Sequence, residues 1–422
     1  MRPATILLGI VLALSTPWGF AQSVSLQTCL DSASANMPLL KQRTIQQDML
    51  EAKLKSYGTA LLPAISLNGQ VSYQSAVPEL PFSIPGSPGL EIPKGQYRTY
   101  AELYQPLFDG GISKALKSAE QAKYEANLQG LKAGEHSYRK QVAQLYFQLL
   151  LMDKQITILS KTIQLLAERE GVLKNALQNG VIQQNDLLKL QGEKIAQEKK
   201  LQELQAARLS GGDVMELLTG ISLKNRELVL PNTETSSSKS VDQHPELKLI
   251  VAQQTSLSAG ESLIGAQRMP RIGVFGQGGV GSPNPYNFFE KDLSSYYIVG
   301  LRLKWTIYDW GKASQDRRNI QLTNQLLSRQ YEQKSIELQS NLVQLHAKSE
   351  QASRSLIKDD EILLIRTTIR QNAAVQLDQG VITNSDYLEE ILAEQLAELT
   401  KSMDQIQLHQ YQTLIRFELG TI

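Results

Sequence analysis

The sequence predicts a mainly α-helical chain with a pair of β-hairpins, in which very long helices run as coiled-coil hairpins. Three observations predict it. The turn NGVIQQNDLL at 179–188 returns as QGVITNSDYL at 379–388, so Gly180, Val181, Ile182 and Asp186 recur as Gly380, Val381, Ile382 and Asp386. A helix-patterned stretch of about 70 residues precedes each copy, and one of about 35 follows it. Ahead of each long stretch the apolar period changes from helical to two, which is the period of a strand.

In chain order, residues 1–21 read as a secretory signal. Arg2 supplies the positive region, Ile6 to Leu14 the apolar run, and Gly19-Phe20-Ala21 a small-x-small cleavage site before Gln22. The run is too short to span a bilayer, and no later stretch of about 20 apolar residues follows. The expectation is an exported chain that is either soluble or a membrane β-barrel. Cys29 has no second cysteine to pair with. Leu26-Gln27-Thr28 before it is a poor lipid-attachment context, so it reads as a partly buried helix residue.

The first repeat, 22–230, starts with one or two helices over 24–60. Strands follow at about 65–75 and 97–108, joined by a loop rich in proline and glycine. A long helix covers about 110–179. Its later half carries Val142, Leu145, Leu149, Met152, Ile156, Leu159, Ile163, Leu166, Leu173 and Leu177 at alternating spacings of three and four, with Glu170 as the polar interruption. That is a coiled-coil seam. Gly180 stops this helix, and Asn185 before Asp186 marks the start of a return helix at about 185–219.

The second repeat, 231–422, repeats the plan. Residues 221–244 form a polar linker around Pro231 and the serines 236–238. A helix over about 245–268, strands at about 272–280 and 296–308, a long helix at about 310–379 and a return helix at about 385–418 follow, with Ser385 in the place of Asn185. Differences in length between the copies fall in loops, as expected of a true repeat.

The fourth strand carries the functional signal. Tyr297, Val299, Leu301, Leu303, Trp305 and Ile307 form one face, and Tyr296, Gly300, Arg302, Lys304 and Thr306 the other. Glu102 and Tyr104 stand at the matching phase of the second strand as lumen-facing candidates with Arg302 and Lys304. Apolar-out and charged-in alternation is the pattern of a transmembrane barrel, with Trp305 as an interface anchor. A half-buried soluble sheet has the same period. A secreted soluble coiled-coil scaffold or adhesin is therefore the rival, although it leaves two strand hairpins at the same repeat phase unexplained. Four strands cannot close a barrel, and lipid does not tolerate open edges. A barrel would need several copies, and three give twelve strands.

Composition excludes other classes. Lys and Arg number 43 against 42 Asp and Glu, so no nucleic-acid footprint exists. No HExxH, CxxC or GxSxG motif occurs, and Gly273–Gly281 is glycine-rich within a strand rather than between strand and helix. No enzyme, cofactor or metal site is expected. His136 and His346 read as solvated helix residues.

The chain resembles the TolC-like outer-membrane efflux family. The residues that carry the resemblance are Leu107-Phe108-Asp109-Gly110-Gly111 with Ile307-Tyr308-Asp309-Trp310-Gly311, together with the paired GVI…D turns. The resemblance implies a homotrimer whose twelve-stranded barrel lies in outer-membrane lipid and continues as a long periplasmic α-helical barrel. It implies passive export from periplasm to exterior, opened by a periplasmic adaptor (membrane fusion) protein and an inner-membrane efflux pump or ABC exporter. By the same resemblance the helical tips form the periplasmic entrance. Asp386 and Glu389 are then pore-constriction candidates. Gly180, Val181, Ile182, Gly380, Val381 and Ile382 are adaptor-contact candidates. A bland alternative for Asp386 is an acidic residue favoured by the dipole at a helix start.

Overall fold

The computed structural model describes residues 23–77, 92–180, 182–232, 240–287 and 290–422. The expected signal segment, most of the first hairpin loop, the serine-rich part of the linker and Val181 lie outside them. The elements in order are α1 (Leu26–Asn36), α2 (Pro38–Thr59), β1 (Ala64–Tyr73), β2 (Gly95–Phe108), α3 (Ile112–Gln178), α4 (Gln184–Thr219), α5 (Pro245–Gln267), β3 (Arg271–Ser282), β4 (Ser294–Lys304), α6 (Lys312–Asp378) and α7 (Asn384–Glu418). No helix among the described residues is long and apolar enough to cross a membrane.

Contacts divide the chain into two units. The sheet unit comprises Pro38–Gly134 and Ser240–Gln339, and holds all four strands. The helical unit comprises Met1–Met37, Glu135–Lys239 and Ser340–Ile422. Each draws on both halves of the sequence.

In the sheet unit the strands run in the order β1-β2-β3-β4, every neighbouring pair antiparallel. The central pairing, β2 to β3, joins the two sequence halves into one sheet and leaves β1 and β4 as edges. β4 ends at Lys304, short of the expected Tyr308. Its neighbour sets that limit: Arg271, the first residue of β3, pairs with Lys304, and Pro270 before it has no N–H to offer. Trp305 instead donates its indole N–H to the Arg268 carbonyl at 3.1 Å.

The two long helices begin identically. Asp109 accepts from Gly111 N at 2.9 Å and Ser113 N at 2.7 Å. Asp309 accepts from Gly311 N and Ala313 N, both at 3.1 Å. Burial pushes the Asp109 carboxyl up, but these bonds outweigh it and hold it below the usual range. For Asp309 the bond from Ala313 is the main cause of a lowered value. Helix starts leave N–H groups unsatisfied, and a carboxylate fills that need. At Gly110 a β-carbon would meet the Ala266 carbonyl at 2.9 Å, whereas Trp310 at the matching place is exposed and lies edge-on to Tyr308.

The helical unit has two cores. In the first, Val142, Tyr146, Phe147 and Leu149 of α3 pack with Leu26, Cys29 and Leu30 of α1, Met215 of α4 and Phe417 of α7. The Tyr146 hydroxyl donates to the Val24 carbonyl at 2.9 Å, and Val24 forms a parallel bridge with Leu228. The expected polar linker is thus packed at both described ends: Leu223, Val241 and His244 are all buried. Its scattered apolar residues outweigh its polar average. Cys29 is fully buried, and burial raises its thiol to about 11. His136 corrects the expectation of a solvated residue. It is buried, bonded through Nε2 to the Phe417 carbonyl at 2.9 Å and set edge-on to the Phe417 ring. His346 is half-buried.

Of the predicted seam, Val142, Leu149, Leu159, Leu166 and Leu173 are buried. Each buried aliphatic side chain contributes about 2 kcal/mol. Isolated helices are marginal in water, so this stripe holds the rods together more than helix propensity does.

Candidate functional site: tip surface and sheet surface

The second core of the helical unit is the tip region. Gly180 and Gly380 end α3 and α6 at φ +75° and +72°, a conformation that a β-carbon disfavours. Gly380 N donates to Leu377 O at 3.0 Å and Val381 N to Gln376 O at 2.8 Å, the bond pair of a Schellman stop. Gly180 N makes the matching bond to Leu177 O at 3.0 Å.

The caps of the return helices lie two residues before the expected Asn185 and Ser385. The N-caps are Gln183 and Thr383. Thr383 Oγ1 accepts from Asp386 N at 3.2 Å, while the Asp386 carboxylate accepts from Thr383 N at 2.8 Å. This capping box needs an acid three residues after the cap, and Asp386 supplies it. Asp386 therefore has the helix-start role that the sequence offered as its bland alternative. The bonds from Thr383 hold its carboxyl below the usual range. Gln183 makes no side-chain cap.

The two tips pack on each other. Leu166, Leu173, Leu187, Leu190, Ala373, Tyr387 and Ile391 form a common core, against which Ile182 and Ile382 lie half-buried. Arg169 reaches Asn384 Oδ1 at 3.3 Å and Asp378 at 3.5 Å, with its guanidinium over the Tyr387 ring. Lys189 Nζ donates to Ser385 Oγ at 3.1 Å. Asp386, Glu389 and Val381 are exposed.

Behind the tips, Glu170 proves to be a clamp. Its carboxylate accepts from Lys194 of α4 at 2.8 Å, Lys174 at 2.8 Å and Gln191 at 2.9 Å. Those bonds, first the one from Lys174, lower its pKa to about 2. The second hairpin has Arg370 on Glu394, backed by Arg366 on Glu390 at 3.5 Å. Arg169, Lys189 and these pairs escaped the sequence reading. The one signal was that Glu170 breaks an otherwise apolar seam.

In the sheet unit, register sorts every strand residue to a face. Ile65, Leu67, Val71 and Tyr73 of β1, Tyr97, Ala101 and Leu103 of β2, Ile272, Val274 and Val280 of β3, and Tyr297, Val299, Leu301 and Leu303 of β4 share one face. It bears no charge, yet Val71 is 86% and Tyr297 84% exposed. The charged strand residues Arg98, Glu102, Arg271, Arg302 and Lys304 all lie on the other face. Of the four lumen-facing candidates, Glu102 and Tyr104 lie on β2 and Arg302 and Lys304 on β4, two strands away. Side chains bridge the gap. Arg302 donates to Glu102 at 3.2 Å and stacks over Phe275 and Tyr104, while Gln277 donates to Glu102 at 2.5 Å. Tyr104, Tyr100 and Phe275 lie against Gly273, Gly279 and Gly300, where a β-carbon would collide with them. Such glycine–aromatic pairs pin register and curvature.

A sheet with one charge-free, largely apolar and exposed face, and with all its strand charge on the opposite face, has the pattern of lipid on one side and water on the other. The family model described as outer membrane efflux protein matches residues 29–211. Over those residues the chain is similar in sequence to outer membrane efflux proteins. No curated protein matches the chain. Solved structures match its fold at low identity. The Campylobacter jejuni CmeC outer membrane channel aligns with TM-score 0.71 and 16% identity over 94% of this chain and 85% of its own. Vibrio cholerae VceC gives 0.70 and 12%, covering 94% and 96%. The open state of Neisseria gonorrhoeae MtrE gives 0.68 and 16%, covering 94% and 88%. The outer membrane efflux fold is therefore present across nearly the whole chain.

Proposed function

We propose that the chain is the outer-membrane conduit of a tripartite efflux or type I secretion system. Three copies close a twelve-stranded barrel, edge β1 of one against edge β4 of the next, with the charge-free face in lipid. The periplasmic tips form the entrance, opened by an adaptor protein and an inner-membrane pump. The single observation that carries this reading is the sorting of all five charged strand residues to one face. The unpaired strand edges support assembly, since neither is tolerated in lipid. Passive export requires no catalytic group, and the motor belongs to the pump.

At the entrance, Asp386 and Glu389 sit one helical turn apart and both are exposed, so three copies would stack two acidic rings. Asp386 caps its helix without losing its charge. The exposed Val381, with Gly180, Val181, Ile182, Gly380 and Ile382, supplies the adaptor contact. Single-channel recording tests the rings. Asp386→Asn with Glu389→Gln is expected to weaken block by multivalent cations by about tenfold. Unchanged block would remove the rings from the constriction. A monomer in the soluble periplasmic fraction, rather than a heat-modifiable outer-membrane trimer, would overturn the channel reading as a whole.

A further inference from the structure

The face opposite the apolar one is polar and also unevenly charged. Among the strand residues it carries Arg98, Arg271, Arg302 and Lys304 against a single acid, Glu102. Glu102 is already taken by Arg302 and Gln277. Arg98 donates through Nε at 3.1 Å and Nη2 at 2.7 Å to Gln70 Oε1, a neutral partner that leaves its charge uncompensated. Arg271 and Lys304 stand directly opposite each other in the register of β3 and β4, so two cations are neighbours at one end of the strands. Arg98 lies toward the other end, beside a cavity of about 170 Å³ lined by Gln70, Ser72, Gln74, Gln96 and Asn284. The cationic surplus thus runs the length of the strands.

We infer that the strand section of this channel is an anion-attracting passage, so that the solutes it favours carry net negative charge. The inference rests on the barrel proposed above. Basic groups lining a pore with low-dielectric walls focus a positive potential and enrich anions. Among the neutral residues of this face, Gln70, Gln74, Gln96, Gln277 and the serines offer hydrogen bonds without opposing charge. Passage would then meet two fields of opposite sign: acids at the tips and bases along the strands.

The test uses the full-length protein in liposomes, with Cys29 replaced by Ser and one cysteine placed at a time. At Ile298→Cys, on the charged face opposite Gln277, an anionic sulfonatoethyl methanethiosulfonate is expected to react about fivefold faster than its cationic trimethylammonium analogue. Both rates are normalised to a free thiol. Raising salt from 0.1 M to 1 M shortens the screening length from about 10 Å to about 3 Å, and should reduce that preference to near one. So should the combined Arg98→Gln, Arg271→Gln and Lys304→Gln variant, which leaves Arg302 on Glu102. The salt series needs no variant, so a misfolded triple mutant does not spare the inference. Val299→Cys, on the apolar face, is the control. If it is protected by lipid while Ile298→Cys reacts without anion preference, the inference fails and the barrel stands. If both positions react alike, the barrel itself fails.

Discussion

In the first hairpin Glu170 of α3 faces Lys194 of α4; in the second, Arg370 of α6 faces Glu394 of α7 at the matching positions. The turn that links each pair of arms is shared down to the left-handed glycine and the acid three residues after the cap. The charges across the arms are reversed. Exchanging partners would put Glu170 against Glu394 and Arg370 against Lys194. A duplicated hairpin faces an ambiguity, since either outward arm fits either return arm by seam pattern alone. Reversed charge removes it, because like charges across a contact penalise the wrong pairing. The tips differ too: the second carries a full capping box and at the first the cap residue makes no side-chain bond.

The largest effect should come from copying one clamp onto the other by half. Glu170→Lys sets three lysines together in a site where the native side chain is only 11% exposed. It should cost about 3 kcal/mol, measured as a shift in the denaturation midpoint. Adding Lys194→Glu then recreates the arrangement of the second hairpin and should recover most of the loss. A double variant no better than the single would show that the clamps do not specify pairing.

Next in size is the response to acid. The folded Glu170 carboxyl is depressed to about 2 from 4.5. A depressed carboxylate adds stability above its unfolded value and loses it as pH falls through the folded one. The first hairpin should therefore loosen progressively between about pH 4.5 and pH 2. Glu170→Gln should flatten that part of the profile, read by hydrogen exchange in α3 and α4. An unchanged slope would assign the acid response to other groups.

The smallest effect separates the caps. Thr383→Ala should cost about 1 kcal/mol at the second tip. Gln183→Thr should add about 0.5 kcal/mol at the first, because Asp186 already waits at the third helical position. Amide exchange at residues 186 and 386 reports both. Equal exchange at the two tips in the native protein would contradict the difference drawn between them.

The fold class was legible because its carriers are local. A seam of threes and fours and a strand of alternating residues are written in the order of the side chains, and the outer membrane efflux fold bears out that mainly helical, four-stranded reading. Long-range partners were not legible. Glu170 stood out as a polar break in a seam, but nothing local tells which lysine of α4 lies opposite. His136 carries no mark of burial, since a buried histidine needs a partner such as the Phe417 carbonyl, 281 residues away. The N-caps were misread by two residues because Asn185 and Ser385 are better capping types than Gln183. At the second tip the capping box between Thr383 and Asp386 decided otherwise, while at the first no side-chain cap marks the start.

The central claim is that alternate residues of one sheet meet lipid and water. A spin label carried in turn from Tyr297 to Lys304, in the trimer reconstituted in liposomes without Cys29, tests it most directly. The account predicts that access to lipid-soluble oxygen peaks at Tyr297, Val299, Leu301 and Leu303. Access to a water-soluble nickel chelate should peak at Ile298, Gly300, Arg302 and Lys304, with period two and opposite phase. Nickel access equal on both faces would contradict the account, since both sides of the sheet would then be wet.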